Sequence, residues 1–148
     1  MINSKWNYRF INLAKHISQW SQDPSTKVGS VIVDDKKRIV SIGYNGFPVG
    51  IEDDARLGIR DVKYKMIVHA ERNALLFANK SLNDCIIYTY PFMPCSVCAG
   101  MIIQSGIKTV VSLKNDNPRW LDDFKISQQM FQEAGVNLIL LENENNEN

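Results

Sequence analysis

Two short strings constrain this chain more than any other feature: His69-Ala70-Glu71, and then Pro94-Cys95-Ser96-Val97-Cys98. One imidazole and two thiolates form an accepted ligand set for a catalytic zinc ion, which takes three protein ligands and keeps a fourth tetrahedral position for water. Here the three are His69, Cys95 and Cys98, so the fold must bring two separate segments to one point. Glu71 stands two positions beyond the histidine, where it can move protons without occupying the metal.

The residues around these strings read as two helix starts. Ala70, Ala74, Phe77 and Ala78 share one helical face after His69. Pro94 or Cys95 opens a second helix running to Gly106, since proline suits the first helical turn. Cys95 and Cys98 at i and i+3 then lie on one face. Helix N-termini carry partial positive charge and free N–H groups, which favour thiolates.

Elsewhere the patterning alternates between periods of 3.6 and 2. Trp6, Phe10, Leu13, Ile17 and Trp20 predict an amphipathic helix over about the first twenty residues, stopped by Asp23-Pro24-Ser25. Val28 to Val33 and Ile39 to Tyr44 predict an antiparallel hairpin around Asp34-Asp35-Lys36-Lys37. Residues 49–66 are mixed in charge and weakly periodic, and read as irregular. Cys85 to Tyr90 reads as a strand stopped by Pro91, Val110-Val111 as another, and Val136 to Leu141 as a last one. Trp120, Phe124, Ser127, Phe131 and Ala134 mark a helix capped by Gly135. The order α-β-β-α-β-α-β-α-β implies an α/β fold with helices on both sides of a sheet that has some parallel pairing. One domain over 1–142 and a solvated, disordered tail over 143–148 complete the expectation.

Composition narrows the partners. Lysine and arginine number 17 against 16 acidic residues, so there is no broad field to attract a long nucleic acid. No apolar run reaches the roughly twenty residues needed to cross a bilayer, and Met1-Ile2-Asn3-Ser4-Lys5 has no following signal-peptide hydrophobic region, which points to the cytoplasm. Three cysteines suit a reducing compartment, with Cys85 in an apolar stretch read as core packing.

Each half of the motif has a plainer explanation. A C-x-x-C at a helix start after a strand also fits a thioredoxin-like redox pair, but that leaves H-x-E unexplained. A zinc ribbon needs further ligands, and only Cys85 and His16 remain, His16 within the first helix. Together the halves spell H-x-E…P-C-x-x-C, the signature of zinc-dependent nucleobase deaminases. In that chemistry a zinc-activated hydroxide attacks C4 of cytosine, and Glu71 passes protons to N3 and to the departing amino group.

The chain resembles the deoxycytidylate (dCMP) deaminases of the cytidine deaminase-like superfamily over roughly residues 5–140. The matching segments are Asp23-Pro24-Ser25-Thr26-Lys27-Val28-Gly29, Gly43-Tyr44-Asn45-Gly46-Phe47-Pro48, His69-Ala70-Glu71-Arg72-Asn73-Ala74 and Ile102-Ile103-Gln104-Ser105-Gly106-Ile107. The resemblance implies a three-layer α/β/α sandwich around a five-stranded mixed sheet, one Zn2+ per subunit, and conversion of dCMP to dUMP for thymidylate synthesis. It also implies a homo-oligomer, commonly a hexamer. Activation by dCTP and inhibition by dTTP, with Mg2+ accompanying the effector, is associated in that family with the segment Gly43, Tyr44, Asn45 and Gly46.

By the same resemblance Asn45 is a candidate for the sugar hydroxyl and the backbone around Ala70 for the pyrimidine edge. Asn45-Gly46 also fits simple turn chemistry. Lys27, Lys63 and Lys80 are candidates for the substrate phosphate, although each singly also fits a solvated surface charge. Two departures stand out. The connection Tyr88 to Cys95 is one residue longer than the usual one, which puts substrate choice in question, and the Cys/His-rich insertion that carries a second zinc in some relatives is absent. Deamination of CMP, dCTP or a modified cytosine, and a non-catalytic nucleotide-sensing subunit, are the alternative readings.

Overall fold

A computed structural model describes residues 4–143. The first helix, α1 (Ser4–Ser18), buries Phe10, Ala14 and Ile17 of the predicted stripe together with Ile11, while Trp6 and Leu13 are half-buried and Trp20 lies exposed beyond the helix end. It ends before the Asp23-Pro24-Ser25 group expected to stop it. That group instead forms a loop built on Asp23, whose Oδ1 accepts from Ser25 N at 2.9 Å, Ser25 Oγ at 3.0 Å and Thr26 N at 3.4 Å.

Strands β1 (Gly29–Val33) and β2 (Ile39–Tyr44) form the expected antiparallel hairpin. Asp34 closes its turn, accepting from Lys36 N and Arg38 N at 2.9 Å each and from Arg38 Nε at 2.7 Å. The chain then departs from expectation. Residues 49–66 contain a 3-10 turn at Ala55–Gly58, capped by the Asp54 side chain, and a helix, α2 (Arg60–Met66). The one fully buried residue of α2 is Lys63, with Val62 and Met66 half-buried, so the deepest position of its inward face is charged rather than apolar.

From there order and type follow the sequence reading: α3 (Ala70–Phe77), β3 (Ile86–Tyr90), α4 (Ser96–Ser105), β4 (Thr109–Leu113), α5 (Pro118–Ala134) and β5 (Asn137–Leu141). The sheet order is β2-β1-β3-β4-β5. The hairpin side is antiparallel, including β1 against β3, whereas β3/β4 and β4/β5 are parallel because α4 and α5 supply their crossovers. Alternation along the strands sorts the core onto two faces. Val31, Val33, Tyr88 and Val111 meet α1, while Ile32, Ile87 and Val110 meet Ala74 of α3, Ile102 of α4 and Phe131 of α5. This is the expected three-layer arrangement, with Cys85 in its core as foreseen.

Close approach requires glycine at β1: a Cβ on Gly29 would lie 2.0 Å from Ala14 O. Among the described residues, no helix is long and apolar enough to cross a membrane. Residues 144–148 of the expected tail lie outside the described residues, and Asn143 is held, donating from Nδ2 to Lys114 O at 3.0 Å.

Candidate active site

His69 and Cys95 are the N-cap residues of α3 and α4, so both half-sites sit at helix starts, as read from the sequence. His69 O accepts from Asn73 N and Cys95 O from Ala99 N, the first turns of the two helices. Before His69, Val68 and Gly46 exchange backbone hydrogen bonds at 2.8 and 3.1 Å, fixing the entry to α3. Gly43 of β2 presses on the helix itself: a Cβ there would lie 2.3 Å from Ala70 O and 2.6 Å from Ala74 N. On the other half-site Asp123 of α5 accepts from Ser96 N at 2.9 Å and Ser96 Oγ at 2.7 Å, anchoring the start of α4.

These anchors bring three donors together. His69 Nδ1 lies 3.3 Å from Cys98 Sγ and 3.6 Å from Cys95 Sγ, and all three donor atoms fall within 4.8 Å of one another. A nitrogen and a sulfur bound at about 2.0 Å and 2.3 Å to a tetrahedral zinc are roughly 3.5 Å apart, which both histidine–sulfur distances match closely. The three donors are electrostatically linked. Shared hydrogen bonding with Cys98, opposed by burial and assisted by His69, lowers the Cys95 thiol to about 4. Cys98 is driven the other way by the same bond and by burial. The hydrogen bond to Cys95 raises His69. The guanidinium of Arg72 lies close to both sulfurs and, against burial, is raised by their charge.

Glu71, 4 % exposed, is raised chiefly by burial, against the lowering effect of His69. A carboxyl held above its usual range takes up a proton more readily than an ordinary carboxylate. It lines a cleft of about 290 Å³ together with His69, Ala70 and Cys95. That volume is near the lower end of small-molecule sites, roughly 300–1,000 Å³.

The cleft has two contrasting walls. One is aromatic, with Phe92 of the long Tyr88–Cys95 connection 5.4 Å from Trp120 and 5.6 Å from Phe124 between ring centroids. The other is polar and includes Asp23, Ser25, Asn45 and Lys63. Asn45 Oδ1 accepts from Val28 N at 2.8 Å, and its Nδ2 donates to Thr26 O at 2.9 Å and Asp23 Oδ2 at 3.4 Å. Both amide hydrogens are thus used, while Oδ1 takes one of the two bonds it can accept. At the cleft's edge Arg119 of α5 donates to Tyr64 Oη of α2 at 3.0 Å.

Of the three lysines considered for an anion, the structure brings only Lys63 to the cleft. Lys27 and Lys80 are exposed and do not line it; Lys80 follows α3, beyond the helix end opposite His69. Tyr44 also faces outward, edge-on to Trp20, while Tyr44 O accepts from Asn73 Nδ2. His16 is exposed. Asp23, Tyr64, Asp123, Arg119 and Trp120 were not singled out as site residues by the sequence reading. Asn117-Pro118, a cap followed by a favoured first-turn proline, marks the α5 start that carries Arg119 and Trp120 to the cleft.

Comparison with known proteins agrees with this geometry. The model of the cytidine and deoxycytidylate deaminase zinc-binding region matches residues 4–114. An uncharacterised deaminase from the luxG 3' region of Aliivibrio fischeri is 44% identical over 141 residues, covering 93% of this chain and 95% of that protein. The human deoxycytidylate deaminase is 37% identical over 139 residues, covering 89% of this chain and 77% of its own length. The crystal structure of dCMP deaminase from cyanophage S-TIM5, in complex with dCMP and dUMP, shares the fold at a TM-score of 0.75 and 23% identity, covering 95% of this chain and 100% of that one.

Proposed function

The chain belongs to the cytidine and deoxycytidylate deaminase zinc-binding family, and from that premise we propose that it hydrolyses dCMP to dUMP and ammonia. The observation that carries the reading is the convergence of His69, Cys95 and Cys98 beside buried Glu71 on a cleft that also holds Lys63 and Arg119. The relative named deoxycytidylate deaminase supports the choice of substrate.

In this reading His69, Cys95 and Cys98 hold zinc, which when bound supplies a water acidified towards neutral pH. Glu71, which is not one of the three donors, would take up a proton from the attacking water and deliver it to N3 of the pyrimidine as a C–O bond forms at C4. It then carries the second proton to the amino group, and the C4–N bond breaks to release ammonia. The bond broken is C–N and the bond formed is C–O, with no redox change. The aromatic wall of Phe92, Trp120 and Phe124 excludes water from the base, and the free lone pair of Asn45 Oδ1 accepts from the sugar. Backbone at Ala70 meets the pyrimidine edge. Lys63 and Arg119 are the cations for the phosphate, in place of Lys27 and Lys80.

Regulation belongs to the same reading. Because Gly43 abuts Ala70 O and Ala74 N, a nucleotide that displaced Gly43–Gly46 would move α3 and with it His69 and Glu71. This gives dCTP or dTTP with Mg2+ a route to the catalytic groups. Exposed Leu76, Phe77, Val97 and Met101 on α3 and α4 suit burial in a homo-oligomer.

Ammonia release by zinc-loaded protein from dCMP, CMP, dCTP, deoxycytidine and cytidine, with and without dCTP or dTTP plus Mg2+, tests the proposal. It requires turnover of dCMP above every other compound. Preference for another nucleotide moves the enzyme to a different specificity, and silence throughout contradicts deamination.

A further inference from the structure

Asp23 does more than end a loop. Its carboxylate is 3 % exposed and joins three segments that each present a polar group to the cleft. Oδ1 accepts from the 23–26 loop and from Lys63 Nζ of α2 at 3.0 Å, while Oδ2 faces Asn45 Nδ2 after β2. Lys63, itself 7 % exposed, makes a second bond to Ser25 Oγ at 2.6 Å. An ammonium has three donors, so these two bonds leave one. Without that carboxylate, Lys63 Nζ loses its ion-pair partner and is no longer fixed in place.

We propose that Asp23 is a positioning residue for the substrate's phosphate: it holds Lys63 Nζ in place so that the third N–H of Lys63 serves the anion. The inference rests on reading the cleft as a nucleoside monophosphate site. Two physical pictures give opposite signs when Asp23 loses its charge. Simple Coulomb repulsion makes Asp23 unfavourable to a phosphate, so Asp23→Asn would bind nucleotide more tightly. Positioning through Lys63 makes the same change weaken it.

The test is calorimetric binding of dUMP and of deoxyuridine to zinc-loaded protein, with zinc content and Tm measured alongside. For Asp23→Asn the positioning role requires dUMP affinity to fall at least about tenfold and by clearly more than that of deoxyuridine, which has no phosphate and reports only the contact of Asp23 to Asn45. In turnover, KM for dCMP rises by a similar factor and kcat stays within about threefold. Tighter dUMP binding, equal loss for both ligands, or no change overturns the proposal. If Asp23→Asn does not fold, Ser25→Ala decides: it removes the other anchor of Lys63 without baring a buried charge. Ser25→Ala must weaken dUMP about threefold or more and spare deoxyuridine, and an unchanged dUMP affinity overturns the proposal. Wild-type protein that binds no dUMP and turns over no dCMP refutes the nucleotide reading itself, a result distinct from any of these.

Discussion

Replacing Gly43 by alanine moves the catalytic groups without touching them. The new Cβ lies 2.3 Å from Ala70 O and 2.6 Å from Ala74 N, and both atoms are backbone, so no side chain can swing aside. Ordinary contact begins at 3.4 Å, so α3 must retreat from β2 by about 1 Å. Ala70 lies between His69 and Glu71, so the retreat shifts the ligand and the proton carrier relative to Cys95 and Cys98. Overpacking of this kind costs about 1–3 kcal/mol, a loss of roughly 3–10 °C in Tm for a domain of this size. A 1 Å misplacement of reacting groups costs about a hundredfold in rate. Gly43→Ala should therefore lose about a hundredfold in dCMP turnover and hold zinc less tightly, measured by ammonia release and by metal content after dialysis. Gly100→Ala is the control, because its Cβ would meet Met130 Cε at a comfortable 3.7 Å on the helix that bears Cys98. Normal zinc and turnover in Gly43→Ala would refute the reasoning; normal basal turnover with a lost response to dCTP or dTTP would give Gly43 an effector role alone.

Other contacts yield further expectations. Asp123→Ala frees Ser96 from its two hydrogen bonds, and chelator competition should show zinc affinity lowered about tenfold or more; unchanged affinity would mean that α4 needs no such anchor. Arg119→Ala should raise KM for dCMP about tenfold with little change in kcat, and an unaltered KM would remove Arg119 from phosphate binding. Asp34 is held at about 2, most strongly by the Arg38 amide and against burial, below its ordinary 3.8. Its contribution to stability is therefore full above about pH 4 and disappears as pH falls through about 2. The difference in unfolding free energy between wild type and Asp34→Ala should shrink over that interval, and a difference independent of pH would contradict the assignment.

The parts of this fold legible in the sequence are those where one physical signal dominates. The α1 stripe, the β1–β2 hairpin and the two helix starts at His69 and Cys95 follow from period, turn chemistry and capping. The helix α2 was hidden because its buried residue is Lys63, whose partner Asp23 lies far away in sequence. For the same reason charge alone could not separate Lys63 from Lys27 and Lys80. Asp23 itself was read as a helix stop, since a turn-forming Asp-Pro-Ser looks the same whether or not its carboxylate is buried. Arg119 and Trp120 reach the cleft only through the return of α5 across the sheet, and Asp123 reaches Ser96 by the same packing. Such long-range pairings are decided by tertiary geometry rather than by local pattern.

The central claim is a zinc-held water served by a carboxyl that is not itself a ligand. Zinc content and dCMP turnover measured together on wild type and Glu71→Gln test it most directly. The account predicts about one zinc per chain in both proteins and a loss of about a hundredfold to ten-thousandfold in ammonia release for Glu71→Gln. Loss of zinc along with turnover would make Glu71 a ligand, and retained turnover would take it out of the reaction.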